Sequence, residues 1–351
     1  MLRSQIRTPA LLVDMDVMER NLSAMAAFFA EGSARLRPHY KNHKCVALAR
    51  RQLAAGAIGI TCATLGEAEA LASSGIQGIL LANEIADPVQ IERFVALARL
   101  TDIMVGVDNE AAVAALSAAS ARAHVQLSVV VDVDTGMGRC GIGPGQPALA
   151  LAQLAVARGL RLRGLIGYEG HCVRLPPGPG KVQAAQTAME KLVSSANLLR
   201  SHGLPVEIVS AGGTGTYSIS GRVPGVTEIQ GGSYLLMDTD YQTVCTDFGL
   251  ALSVLGTVIS RTGNERLILN IGLKEISGER GLPSLKNTPG ARLRKLNAEH
   301  AVVDILDPNL SLQVGDAVEL WAHYSDATVN LHRQMFGMRG ECVEETFFLE
   351  S

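Results

Sequence analysis

The sequence predicts an α/β protein: a (β/α)8 barrel followed by a smaller, mostly antiparallel β domain. Three observations carry this. Eight short apolar runs alternate with helical stretches over about 220 residues, the length of one eight-unit barrel. Near residue 248 the alternation stops, and strand-like runs continue with few helices between them. Two glycine-rich turns follow the seventh and eighth runs, where a barrel presents the C-terminal ends of its strands.

The elements justify this in order. Thr8-Pro-Ala-Leu-Leu-Val-Asp14 reads as a strand, and Met18, Leu22, Met25 and Phe28 recur at helical spacing after it. Residues 35–40 read as the first barrel strand, with a helix from Cys45. Ile58–Cys62, Gly78–Ala82, Asp102–Val107, Val125–Val133, Leu162–Tyr168, Val206–Val209 and Val226–Ile229 follow as strands, mostly separated by helices. Such short, continuously apolar strands belong to a parallel sheet covered on both faces. Beyond residue 248, strands are expected at 251–260, 266–271, 300–305 and 317–321, separated by turn pairs such as Thr262-Gly-Asn and Asp307-Pro-Asn. The expected domains are residues 15–247 for the barrel, and 1–14 with 248–351 for the β domain.

With 351 residues the chain can bury a large core. A net charge of −3 gives no reason to expect a nucleic acid or an acidic membrane as partner. Six scattered cysteines without a C-x-x-C pair are neither a zinc ribbon nor a disulfide framework. The N-terminus lacks the apolar core of a signal peptide, and no apolar run approaches the roughly 18 residues of a membrane span. A soluble cytoplasmic protein is expected.

The chemistry centres on Arg35-Leu-Arg-Pro-His-Tyr-Lys-Asn-His-Lys44. Alternation along a strand puts Arg37, His39 and Lys41 on one side, with Lys41 where the strand gives out. Positive neighbours disfavour an ammonium and leave part of such a lysine as the free amine nucleophile. A solvated basic loop is the alternative. Ser210-Ala-Gly-Gly-Thr-Gly-Thr216 and Gln230-Gly-Gly-Ser-Tyr234 fall where barrels often bind phosphate, and glycine lets backbone N–H groups approach an anion. Gly167-Tyr-Glu-Gly-His171 ends the sixth strand, with His171 either a general base or a structural histidine.

Arg37-Pro-His-Tyr-Lys-Asn-His-Lys44 resembles the R-P-H-x-K-T-H-K signature of the D-threonine aldolase, 3-hydroxy-D-aspartate aldolase and D-serine dehydratase family, which has the alanine racemase fold. Asn42 stands where threonine is usual. The two glycine turns resemble the family's S-G-G-G-T-G-T-Y and T-E-L-Q-x-G-S-Y-x-x-M-D-x-D-Y blocks, the second reading Thr227-Glu-Ile-Gln-Gly-Gly-Ser-Tyr-Leu-Leu-Met-Asp-Thr-Asp-Tyr241. Asp132-Val-Asp-Thr-Gly-Met-Gly-Arg-Cys-Gly141 resembles D-x-G-x-G-R-C-G, and Gly272-Leu-Lys-Glu-Ile-Ser-Gly-Glu-Arg-Gly-Leu-Pro283 resembles G-x-K-x-x-S…G-L-P.

The resemblance implies that Lys41 forms the Schiff base with pyridoxal 5'-phosphate. It implies that Gly213, Thr214, Gly232 and Ser233 hold the phosphate and that Tyr168 faces the pyridine nitrogen. Arg139 is either a ligand of the cofactor hydroxyl or substrate carboxylate, through its fork of donors, or a surface arginine on a tight turn. The family's metal site is H-x-C or H-x-D shortly before T-V-N. Anchoring on Thr328-Val-Asn330 puts Asp326 at the acidic position but Tyr324 at that of the histidine, with His323 one residue early. His323 and Asp326 are then the candidate ligands, and aspartate suits Mg²⁺ or Mn²⁺ better than Zn²⁺.

The implied activity is cleavage of a 3-hydroxy-D-amino acid, of D-threonine or 3-hydroxyaspartate type, to glycine and an aldehyde. Dehydration of D-serine or 3-hydroxyaspartate is the alternative, and a non-catalytic pyridoxal phosphate carrier is a third reading. The partners implied are a small amino-acid substrate and a second copy of the chain in a homodimer.

Overall fold

In a computed structural model, residues 1–350 are described, and they divide into two compact units, residues 25–41 with 48–232 and residues 1–24 with 42–47 and 233–350. The chain opens with strand β1 (Ala10–Asp14) and helix α1 (Met15–Ala30). The barrel strands follow: β2 (Arg35–Leu36), β3 (Ile60–Cys62), β4 (Ile79–Leu81), β5 (Ile103–Val107), β6 (Ser128–Asp132), β7 (Arg161–Gly167), β8 (Ile208–Ala211) and β9 (Glu228–Ile229). Between them run α2 (Val46–Ala54), α3 (Leu65–Ser73), α4 (Pro88–Ala98), α5 (Glu110–Ala123), α6 (Gln146–Ala157), the single turn α7 (Gly170–Val173), α8 (Pro179–Ser201) and α9 (Tyr217–Ser220).

The eight strands pair in the order β2-β9-β8-β7-β6-β5-β4-β3, every pair parallel. The two ends of this sheet meet through a parallel bridge between His39 and Thr61 and through bonds from Ile58 N to Leu36 O and Thr61 N to Pro38 O, each 2.9 Å, which closes the barrel. Inside it, Leu80, Met104, Val130, Ile166 and Ile208 pack as one cluster from five consecutive strands. Helix starts are set locally. Thr64, Asp87 and Asn109 accept backbone N–H groups of α3, α4 and α5, and Pro88 occupies the first turn of α4, where its missing donor costs nothing.

The first barrel strand is shorter than its sequence suggests. Its strand register with β9 covers only Arg35 and Leu36, although Arg37 N still donates to the Ile229 carbonyl at 2.9 Å and His39 N to that of Gly231 at 3.3 Å. On the other side Pro38 has no N–H to donate, and a single bridge joins His39 to Thr61. Residues Tyr40–Asn42 then form a 3-10 turn that carries Lys41. Arg37 does not add its charge to the lysine's surroundings as expected. It is buried, its Nε and Nη2 hold both Glu228 oxygens at 2.8 and 2.9 Å, and its Nη1 donates to the Gly78 carbonyl.

The other unit is a mostly antiparallel sheet. Its strands are β10 (Leu252–Thr262), β11 (Arg266–Leu269), β12 (Ser284–Leu285), β13 (Ala291–Leu296), β14 (Ala301–Ile305), β15 (Ala317–Trp321), β16 (Gln334–Arg339) and β17 (Cys342–Phe348). They order as β13-β14-β11-β10-β1-β16-β17, with β15 bridging β10 and β12. The N-terminal strand joins this domain, as the resemblance implies: β1 runs antiparallel to β10 and parallel to β16. Ile6, Ala10, Leu12, Leu255 and Met338 pack as one cluster in its core. Two one-turn helices, α10 (Thr239–Gln242) and α11 (Ser325–Val329), lie between its strands in sequence. Strands β12, β13, β16 and β17 were not expected from the sequence. In β13, Ala-Arg-Leu-Arg-Lys-Leu buries only Leu293, so the apolar signal of a strand is nearly absent.

Candidate active site

The lysine turn sits against the glycine turn that follows β9. His39 N donates to the Gly231 carbonyl at 3.3 Å, and a methyl group built at Gly232 would lie 2.6 Å from the His39 carbonyl oxygen. No side chain fits there, so Gly232 is required by the closeness of the two backbones. Lys41 is half-buried. Next to it His43 is fully buried, and its Nδ1 accepts from Cys45 N at 3.1 Å.

The other glycine turn, after β8, is held by Glu169, a residue the sequence reading passed over. Glu169 is completely buried at the end of β7, and three donors converge on its carboxylate: Gly212 N at 3.0 Å, Thr216 Oγ1 at 2.7 Å and Ser220 Oγ. A buried carboxylate is stable only when paired or richly hydrogen-bonded. Here its bonds fix the loop around Gly213 and Thr214. The signal was a charged residue between glycines at the end of an apolar strand. A Cβ at Gly213 would lie 3.3 Å from the Tyr168 ring, so the loop backbone lies close against that ring.

Arg139 is exposed, with its guanidinium carbon 5.9 Å from the centre of the Tyr168 ring. His171 is also exposed, on the first turn after Glu169, and its ring lies beside Gly136. The structure therefore brings His39, two residues before Lys41, against Gly232, and Tyr168 against Gly213 and Arg139, at C-terminal strand ends of one barrel. Ser233 and Thr214 are buried.

Also beyond these strand ends is an acidic group that the sequence reading did not assemble. Glu84, Asp108 and Cys140 have ligand atoms within 4.8 Å of one another, the one grouping of three metal-binding donors among the described residues. Asp132 hydrogen-bonds Glu84, and its carboxyl is pushed up to about 8 by burial and by the charges of Glu84 and Asp108, while Arg139 opposes the shift. Burial and Glu84 also raise the Cys140 thiol.

His323 and Asp326 lie in the β-domain unit. His323 Nδ1 is 2.7 Å from the Thr239 hydroxyl, and Asp326 Oδ1 accepts from Asn42 Nδ2 at 2.6 Å. Each is thus held through one atom, leaving the imidazole Nε2 and the carboxylate Oδ2 for another partner. Outer partners orient ligating histidines and carboxylates in this way, so the chemistry of this donor pair is compatible with a divalent ion. Tyr324, at the family's histidine position, is instead covered by the Arg280 guanidinium, 4.0 Å above its ring. The close glycine approaches and the Glu169-braced turn likewise fit a phosphate-bearing cofactor.

Comparison with known proteins bears on the fold and the family. Residues 13–240 match the family model "Alanine racemase, N-terminal domain", and residues 251–338 match "Putative serine dehydratase domain". The chain is 36% identical to a D-threonine aldolase of Arthrobacter sp. over 97% of its own length and 92% of that protein's. It is 32% identical to the 3-hydroxy-D-aspartate aldolase of Paracoccus denitrificans, over 97% and 91%. The crystal structure of D-threonine aldolase from Filomicrobium marinum superposes with a TM-score of 0.95 at 33% identity, covering 99% of this chain and 95% of the other. D-threo-3-hydroxyaspartate dehydratase from Delftia sp. HT23 follows at 0.91 and 29% identity, covering 99% and 98%. The chain therefore belongs to the family that the D-threonine and 3-hydroxy-D-aspartate aldolases share, built on the alanine racemase N-terminal domain.

Proposed function

We propose that this protein cleaves 3-hydroxy-D-amino acids to glycine and an aldehyde, with pyridoxal phosphate carried on Lys41. The observation that carries the reading is the backbone contact of His39 with the Gly231–Gly232 turn, which supports a cofactor held between the turn that carries Lys41 and a phosphate-type loop. In this reading Gly213, Thr214, Gly232 and Ser233 hold the phosphate, Tyr168 faces the pyridine ring, and Arg139 binds the ring hydroxyl or the substrate carboxylate. When bound, the cofactor supplies an electron sink for the pair left on Cα as the Cα–Cβ bond breaks.

The β-hydroxyl must lose its proton in that cleavage. We assign a divalent ion, Mn²⁺ or Mg²⁺, to His323 and Asp326, since a cation on an oxygen lowers its pKa. His171 is the base if no ion is held. A homodimer belongs to the same reading.

The dehydratase among the relatives favours a second reading, in which the base removes the α-proton and ammonia and a keto acid leave. A panel of 3-hydroxy-D-amino acids, assayed for glycine plus aldehyde and for ammonia plus keto acid, separates the two. Glycine is expected, lost with Lys41→Ala along with the visible band of bound cofactor, and reduced by chelation until Mn²⁺ is returned. Ammonia as the main product would overturn the proposal.

A further inference from the structure

Asn42 follows Lys41 directly and shares its 3-10 turn, yet its side chain is 0% exposed. Its Nδ2 donates to two residues far along the chain, Ser325 Oγ at 2.8 Å and Asp326 Oδ1 at 2.6 Å. The amide can point only one way. Ser325 gives its own hydroxyl proton to Asp238 Oδ2 at 2.8 Å, so its oxygen is left to accept, and a carboxylate only accepts. Both neighbours therefore demand the NH₂ end. The other end, Oδ1, is buried without a hydrogen-bond partner. An unsatisfied buried acceptor is destabilising, a poor choice for a residue that serves packing alone.

The network continues to the other candidate ligand. Asp238 accepts from Ser325 N at 2.8 Å and from Tyr241 N at 2.7 Å, which anchors α10, and Thr239 of α10 holds His323 Nδ1 at 2.7 Å. Asn42, Ser325 and Asp238 thus form one hydrogen-bonded chain between Asp326 and the helix that orients His323. The threonine usual in the family signature has a single hydroxyl and cannot donate to Ser325 and Asp326 together.

We propose that Asn42 is a positioning residue for the divalent-ion site: its side-chain amide fixes Asp326 by one oxygen and leaves the other for the cation. This rests on the assignment of the ion to His323 and Asp326. Removing an outer partner of a metal ligand typically weakens metal affinity by about 10- to 100-fold.

The test is Mn²⁺ titration of the cofactor-loaded protein followed by electron paramagnetic resonance, alongside the visible cofactor band. Asn42→Ala is expected to raise the Mn²⁺ dissociation constant by about tenfold or more, with the cofactor band unchanged and activity recovering at saturating Mn²⁺. Asn42→Thr, which fills the space and keeps one donor, should show a smaller loss in the same direction, and it carries the test if the alanine variant does not fold. Mn²⁺ affinity unchanged in these variants but lost in Asp326→Ala would overturn the role of Asn42 and leave the ion site standing. Wild-type protein that binds no Mn²⁺, or binds it equally well as Asp326→Ala, would overturn both.

Discussion

Asp132 ends strand β6 with Glu84 and Asp108 as charged neighbours, and its carboxyl rises to about 8 because burial and these two charges all penalise its ionised form. In the unfolded chain the same group titrates near its ordinary value of 3.8. Between these values the folded protein keeps a proton that the unfolded chain has released. The contribution of Asp132 to stability is therefore full below about 4 and is lost as pH rises through about 8. Asp132→Asn keeps the neutral, hydrogen-bonding form at every pH. The difference in melting temperature between the variant and the wild type should grow in the variant's favour from pH 5 to pH 8.5, read by circular dichroism. A constant difference would mean that the Asp132–Glu84 pair holds no proton.

At the scale of elements, the two glycine turns are fixed by different forces. The β9 turn is set by sterics: a Cβ at Gly232 meets a backbone carbonyl at 2.6 Å, and a carbonyl cannot swing aside as a side chain can. Forcing a methyl into a packed site costs about 1–3 kcal/mol. The β8 turn is set by charge-assisted hydrogen bonds to Glu169, each worth about 1.5–3 kcal/mol. Gly232→Ala is expected to weaken pyridoxal phosphate binding by moving the lysine turn. Glu169→Gln should weaken it by loosening the loop around Gly213 and lower stability by about 2 kcal/mol, because a neutral amide cannot accept all three donors. Titration of apo-protein with cofactor, read at the visible band, with denaturant unfolding beside it, checks both. Binding unchanged in both variants would remove these turns from the cofactor site.

For the whole molecule, the proposed homodimer predicts a mass of about twice 37.1 kDa by light scattering at working concentration. A fully active monomer would refute it. Among the described residues no helix is long and apolar enough to cross a membrane. The alternation of apolar runs and helices, the lysine turn and both glycine turns are local patterns, and they were legible in the sequence. So was the change of texture near residue 248. Local pattern reports which way a side chain faces within its own element. It does not report which distant segment that side chain meets. Arg37 and Glu228 lie 191 residues apart, Glu169 and Ser220 51 apart, and Asn42 and Asp326 284 apart, so no spacing announces these pairs. Strand β13 shows the same limit, since its pairing with β14, not apolar alternation, makes it a strand. The sequence by itself determined the barrel, its second domain and the residues that point to cofactor chemistry, because each is written in neighbours along the chain. Only the tertiary structure decided which carboxylates keep a proton, which glycines have no room for a methyl, and which amide holds Asp326, because burial and partnership exist only after distant segments meet.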